Sequence, residues 1–177
     1  MKKILYSFLA IVLGLVLSGA GCNQDAYDPD TYDVGVEING VTWATRDVGE
    51  FGKFVAKPED EGVTYYWNNK NYENLNYWEA AHDPCPSGWK VPTDTQMNAS
   101  FPSGQIVRTT ISGINGAYLG TAPNQIFLKV EGGAVYWNSI NRGYAVLLVV
   151  GTDLYSAVGT NAGATDSNKY RIRCVKI

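Results

Sequence analysis

The chain is 177 residues long, 45% hydrophobic and 18% charged, with 17 acidic against 14 basic side chains and a formal net charge of −3. This balance argues against a nucleic-acid partner, whose phosphates are held by surplus lysine and arginine. One histidine and 3 cysteines, with no C-x-x-C pair, supply no closed set of zinc ligands, and neither a metal nor another cofactor is expected.

Lys2 and Lys3 precede an uncharged, mostly apolar stretch over residues 4–17, and Ser18-Gly19-Ala20-Gly21-Cys22 follows. The stretch is shorter than the ~20 residues a spanning helix needs and suits the roughly 7–15-residue core of an export signal. Small residues ending at a cysteine resemble a lipobox, in which the peptide is cut before the cysteine and the thiol is acylated. Gly19 stands where leucine is usual, with Leu17 displaced upstream. The expectation is a signal peptide over residues 1–21, a lipid on Cys22 that attaches the protein to a membrane, and an outer-membrane lipoprotein of the cell envelope, on its periplasmic or its surface side. Ordinary secretory cleavage nearby is the alternative.

Without residues 1–21 the chain keeps all 17 acidic residues and loses two lysines, leaving 156 residues and a formal charge of −5, enough for one domain with a sizeable core. Residues 22–94 carry 14 acids and 5 bases, whereas residues 95–177 carry 3 and 7. The two halves are expected to attract each other, at ~0–1 kcal/mol per exposed pair. With Cys22 occupied, Cys85 and Cys174 remain, and an oxidising compartment lets them pair. Such a disulfide ties the middle of the domain to its last strand.

Residues 22–33, with Asp25, Asp28, Asp30 and Asp33 around Pro29, read as an acidic tether, and residues 34–177 as the domain. Val34, Val36 and Ile38 alternate with polar positions, and Asn39-Gly40 suits a type I′ turn into Val41-Thr42-Trp43. Residues 51–55 extend the sheet, 58–62 form an acidic turn, and 63–67 form an aromatic strand closed by Asn68-Asn69. Leu75, Trp78 and Ala81 or His82 recur at spacings of three and four, which predicts a short helix over 72–82 stopped by Asp83-Pro84. Thr93 with Gln96 three positions later makes a capping box for a second short helix, ended by Pro102. Strands follow at 106–111, 117–119, 125–130, 134–137, 144–150 and 170–175, with the continuous apolar run 145–150 central. In the last, Lys169, Arg171 and Arg173 alternate with Tyr170, Ile172 and Cys174, which predicts one wet face. The sum is an α+β fold, an irregular, largely antiparallel sheet with two short helices.

Five motifs together resemble a known family: Ile38-Asn39-Gly40-Val41-Thr42-Trp43-Ala44-Thr45-Arg46, Tyr65-Tyr66-Trp67-Asn68-Asn69-Lys70, Pro84-Cys85-Pro86-Ser87-Gly88-Trp89-Lys90-Val91-Pro92-Thr93, Gly133-Ala134-Val135-Tyr136-Trp137-Asn138-Ser139 and Arg171-Ile172-Arg173-Cys174-Val175. They are similar to the Fibrobacter succinogenes major paralogous domain, a family of exported proteins and lipoproteins of Bacteroidetes and Fibrobacteres. The resemblance spans residues 34–177. It implies a remote likeness to C-type-lectin-like and sulfatase-modifying-factor folds, with the N- and C-terminal strands close together, and it implies no established chemistry. The chain departs from the family pattern at Asp94-Thr95-Gln96-Met97, where an acidic residue and a tryptophan of a longer helix are usual.

Catalytic readings do not gather their residues. Paired-carboxylate hydrolysis needs two acids about 5–9.5 Å apart, and Glu59, Asp60 and Glu61 between Pro58 and Gly62 read as a solvated turn. Glu73, Glu79, Asp83 and Asp94 aim at no common substrate. His82 has no linked nucleophile and reads as a helix-end or packed side chain. Sulfatase-modifying enzymes use reactive cysteines, whereas Cys85 and Cys174 fit a bridge. Calcium wants several oxygens from one loop, which the connections around Asp153 and Asp166 lack.

Recognition remains. Aromatic faces pack on the apolar faces of sugars, while asparagine hydrogen-bonds hydroxyls. The similar runs 66–69 and 136–139 put forward Tyr65, Trp67, Asn68, Asn69, Tyr72, Tyr136, Trp137 and Asn138 as ligand contacts. The competing reading places Trp67 and Trp137 in the core and makes the asparagines turn residues. The expected function is non-catalytic adhesion, assembly or recognition, with an envelope protein as partner. Glycan binding is the sharper alternative, and an enzyme related to sulfatase-modifying factors the third.

Overall fold

Asn39 and Gly40 both take positive φ, 51° and 78°, and fold the first alternating run into a hairpin of β1 (Val36–Ile38) and β2 (Val41–Trp43), as an Asn-Gly pair favours. The computed structural model describes residues 28–69, 76–101, 106–131, 133–150, 153–159 and 167–177. Residues 1–21, expected to be an export signal, Cys22 and Tyr72 lie outside the described residues. Residues 28–33, read from sequence as tether, turn back onto the body: Phe54 N donates to Asp30 O at 2.6 Å, and buried Asp33 accepts from Gly35 N and from the backbone and hydroxyl of Thr45.

Among the described residues the architecture is four small sheets, not closed into a barrel. Beside β1 and β2 stand β3 (Tyr65–Tyr66), β4 (Trp89–Lys90), β5 (Ile106–Ile111), β6 (Ile114–Thr121), β7 (Asn124–Lys129), β8 (Gly133–Trp137), β9 (Tyr144–Val150), β10 (Asp153–Gly159), β11 (Lys169–Tyr170) and β12 (Val175–Lys176). The orders are β1-β2-β12-β4, β5-β6-β7, β10-β9-β8 and β11-β3, and every named pairing is antiparallel. Val175 of β12 faces Trp43 of β2, so the first hairpin and the last strand share one sheet. β9, which carries the apolar run 145–150, is the middle strand of its sheet, as read from sequence.

Among the described residues there is one α-helix, α1 (Asp94–Ser100), with the predicted capping box: Gln96 N donates to Thr93 Oγ1 at 3.2 Å, and Thr93 N donates to Gln96 Oε1 at 2.9 Å. Thr93→Ala is expected to lower stability by about 1 kcal/mol, read as a lower denaturant midpoint at unchanged slope. An unshifted midpoint would show that packing alone holds the helix.

Three expectations are corrected. The described part of 72–82 holds only a 3₁₀ turn, Ala80–His82, because Tyr77 is drawn into a bridge with Ile140 and Trp78 N into a bond with Ser139 O. Residues 51–55 contribute only the single bridge Val48↔Phe54, with Phe51 half exposed. The last segment is no strand with a wet face: residues 171–174 separate β11 from β12, and Arg171, Ile172, Arg173 and Cys174 are all buried. Conversely β10 occupies a connection that reads as polar loop.

Among the described residues two apolar clusters form the core. One joins Ile38, Trp43, Met97, Leu119, Leu128 and Tyr136, under α1 and the β5-β6-β7 sheet. There Trp43 Nε1 donates to Ser100 Oγ at 2.8 Å, and the Phe127 ring lies against Gly116, where a Cβ would come within 2.2 Å of it. The other joins Trp67, Trp78, Trp89, Trp137, Ile172 and the disulfide.

Candidate functional site

The aromatic residues put forward from sequence come together, but inside the molecule. Trp67 packs edge-on against Trp78 and Trp137, with centroids 5.2 and 5.6 Å apart, and Trp137 lies 4.3 Å from Tyr170. Trp67 is 2% exposed, and Tyr136, Trp137, Asn68 and Asn138 are fully buried. Their positions as ligand contacts are therefore corrected to scaffold positions. Trp137 Nε1 donates to Tyr65 O at 2.7 Å, and the Tyr65 hydroxyl donates to Gly49 O at 2.6 Å. Burial, helped by the charge of Glu50, pushes the Tyr65 phenol up to about 12. Asn68 and Asn69 take positive φ, 52° and 49°, and turn the chain, the role the sequence offered as the alternative. The Asn68 side chain also accepts from Glu79 N at 2.8 Å and donates to Glu79 Oε2 at 2.9 Å. Asn69 alone of the described set is exposed.

Charge crosses between the acidic and basic halves as the composition predicts, and part of it does so in the interior. Arg173 Nε meets Asp47 Oδ1 at 2.7 Å, both side chains 1% exposed, while its other nitrogens donate to Ala44 O at 3.3 Å and Phe127 O at 3.2 Å. Tyr136 donates its hydroxyl to Asp47 at 3.5 Å, and burial together with the Asp47 charge raises its phenol far above the ordinary value. Nearer the surface, Glu61 pairs with Arg171 and Lys129. Burial works to raise the Glu61 carboxyl, but the two cations outweigh it and hold it below its ordinary value.

Cys85 and Cys174 form the expected disulfide, S–S 2.01 Å. It fastens a proline-framed loop whose two ends are clamped by one carboxylate: Asp83 Oδ1 accepts from Cys85 N at 2.9 Å and Oδ2 from Val91 N at 3.0 Å. With Trp89 N bonded to Pro86 O at 3.0 Å, the loop satisfies the outer edge of β4, which would otherwise stand open. The opposite wall is segment 138–140 with Trp78, tied on by Ser139 N to Pro92 O at 2.7 Å and Trp78 N to Ser139 O at 3.0 Å.

Between these walls opens a cleft of about 460 Å³ whose lining includes Trp78, Asp83, Cys85, Pro86, Ser87, Trp89, Lys90, Ser139 and Ile177, within the ≈ 300–1,000 Å³ common for small-ligand sites. Burial raises the Asp83 carboxyl above its ordinary value, against the two backbone N–H donors and the Lys90 charge. The sequence named none of these as ligand contacts. Pro84-Cys85-Pro86-Ser87-Gly88 carries a strong loop signal, but the second wall, some fifty residues away, has no local mark. Among the described residues no group of three or more His, Cys, Asp or Glu is placed to hold a metal ion, and His82 lies with Nδ1 2.9 Å from Glu79 Oε2. Comparison with family models, curated proteins and solved structures finds no match.

Proposed function

We propose that the chain is an exported, lipid-anchored domain of the bacterial envelope that recognises a ligand without transforming it, and that the ligand is a glycan. The observation that supports this best is the cleft beside the disulfide, where aromatic, hydroxyl and charged side chains converge on a scaffold fixed by a covalent bridge and a buried tryptophan cluster. Fixed walls favour binding because little ordering entropy is lost on association. The motif resemblance to the Fibrobacter succinogenes family, and through it to C-type-lectin-like folds, supports the same reading. The joining of the first hairpin to the last strand agrees with it. Lipidation at Cys22 and outer-membrane location rest on the sequence of residues 1–22.

The test is a glycan array probed with the purified full chain, together with product analysis of each bound sugar and metabolic labelling with a fatty-acid analogue. Expected are selective binding, unaltered sugars, and label that is lost in Cys22→Ser. Sustained turnover of a bound sugar would refute the non-catalytic reading, and label retained in Cys22→Ser would refute the anchor.

A further inference from the structure

We propose that the cleft between the Pro84–Lys90 loop and segment 138–140 is a subsite for a neutral saccharide unit, held by Asp83, Ser87, Lys90 and Ser139 against Trp78 and Trp89. The inference rests on the glycan reading above and moves it from the Trp67 and Trp137 runs, which are interior, to a surface the sequence did not single out.

The chemistry of the lining selects the ligand class. The chain is acidic overall, yet the side chains lining this cleft include one carboxylate and one ammonium, Asp83 and Lys90, so they offer no surplus of either sign to hold a strongly charged ligand. Ser87 and Ser139 both line the cleft, Ser87 exposed and Ser139 half-buried, and their hydroxyls make no hydrogen bond within the described residues. Each hydroxyl both donates and accepts, which matches a sugar hydroxyl. Asp83 uses one lone pair on each oxygen for Cys85 N and Val91 N, leaving acceptor capacity for sugar O–H donors while its position stays locked. The apolar lining includes Trp78 and Trp89, 8% and 7% exposed, Pro86, and Ile177, 81% exposed. Phe54 packs edge-on against Trp89, centroids 5.7 Å apart, and Trp78 Nε1 donates to His82 O at 3.1 Å, so neither indole swings out to make a broad stacking platform. A hydroxyl-bearing cleft without such a platform suits a single sugar ring or chain end more than the flat face of a long polysaccharide.

The test titrates neutral cello-, manno-, xylo- and chito-oligosaccharides into the purified full chain by calorimetry, with Ser87→Trp to fill the cleft and Ser139→Ala to remove one hydroxyl. Ser87 is exposed, so the indole is accommodated without repacking, and retention of the Cys85–Cys174 bridge on peptide mapping verifies each fold. Expected is a sugar bound by the wild type, at least tenfold weaker in Ser87→Trp and several-fold weaker in Ser139→Ala, with Thr110→Trp on remote β5 unchanged. Binding retained in both cleft variants overturns the subsite while leaving glycan recognition standing. Binding of no oligosaccharide by the wild type overturns both readings. A cleft that takes a displayed peptide instead, and loses it in Ser87→Trp, overturns the ligand class.

Discussion

Asp47→Ala is expected to lower the unfolding free energy by about 3–5 kcal/mol, the cost of stranding one member of a buried ion pair. The Arg173 guanidinium is 1% exposed and has three acceptors, the Asp47 carboxylate at 2.7 Å and the carbonyls of Ala44 and Phe127 at 3.3 and 3.2 Å. Without the carboxylate the carbonyls remain, but they do not neutralise the charge, and water cannot enter without opening the junction of the two halves. The neighbourhood is also closed to repacking: a Cβ on Gly62 would sit 2.6 Å from the Asp47 Cβ and 2.7 Å from Val48 O. Glu61→Ala is the control. That carboxylate is 52% exposed, solvent screens its pairing with Arg171 and Lys129, and its loss is expected to cost no more than about 1 kcal/mol. The double variant Asp47→Leu with Arg173→Met should recover most of the loss, since an apolar pair of similar volume removes two desolvated charges at once. Urea unfolding of the four proteins measures this. An Asp47→Ala cost no larger than that of Glu61→Ala would show that the interior pair is solvated in solution.

That pair explains much of what was legible in the sequence and what was not. The division into an acidic and a basic half stands in the composition, and the structure realises it as Asp47 with Arg173 and Glu61 with Arg171. Which charges go inside is not a local property. Lys169, Arg171 and Arg173 alternate as a half-wet strand does, yet the cysteine at position 174 is pulled to Cys85 and takes residues 171–174 into the core with it. Elements with their own start and stop chemistry were readable: the Asn39-Gly40 hairpin, the Thr93–Gln96 cap, and strands 106–111 and 144–150. The spacing of Trp78 and His82 suggested a helix, but a bridge from Tyr77 to Ile140, 63 positions along the chain, outweighs a helical propensity worth only tenths of a kcal/mol per residue. The same limit applies to the ligand contacts. Tyrosine, tryptophan and asparagine in two matching runs look alike whether the run ends at a surface or, as with Trp67 and Trp137, crosses the core.

Removing the disulfide with Cys85→Ala and Cys174→Ala together is expected to cost about 2–5 kcal/mol. The two cysteines are 89 positions apart, and the chain-entropy estimate for a loop near 100 residues is about 4.7 kcal/mol. Very little of that depends on contacts seen in the folded state; it arises because the crosslink denies the unfolded chain its most expanded conformations. The folded state adds its own share, since Cys174 is fully buried beside Ile172 and Trp89, and two alanines leave a void among large side chains. Urea unfolding with and without reductant separates these contributions. The wild type should lose stability on reduction and the double alanine variant should be indifferent to it, while any gap between the reduced wild type and the variant measures the void. A wild type whose midpoint is unchanged by full reduction would mean that Asp83, the Trp67 cluster and the Asp47–Arg173 pair hold the cleft walls without the bridge. The same samples then report on function. Asp83 clamps both ends of the loop by hydrogen bonds alone, so a reduced chain that stays folded should keep the cleft and the saccharide binding proposed for it, whereas a chain that unfolds on reduction loses both in a single transition.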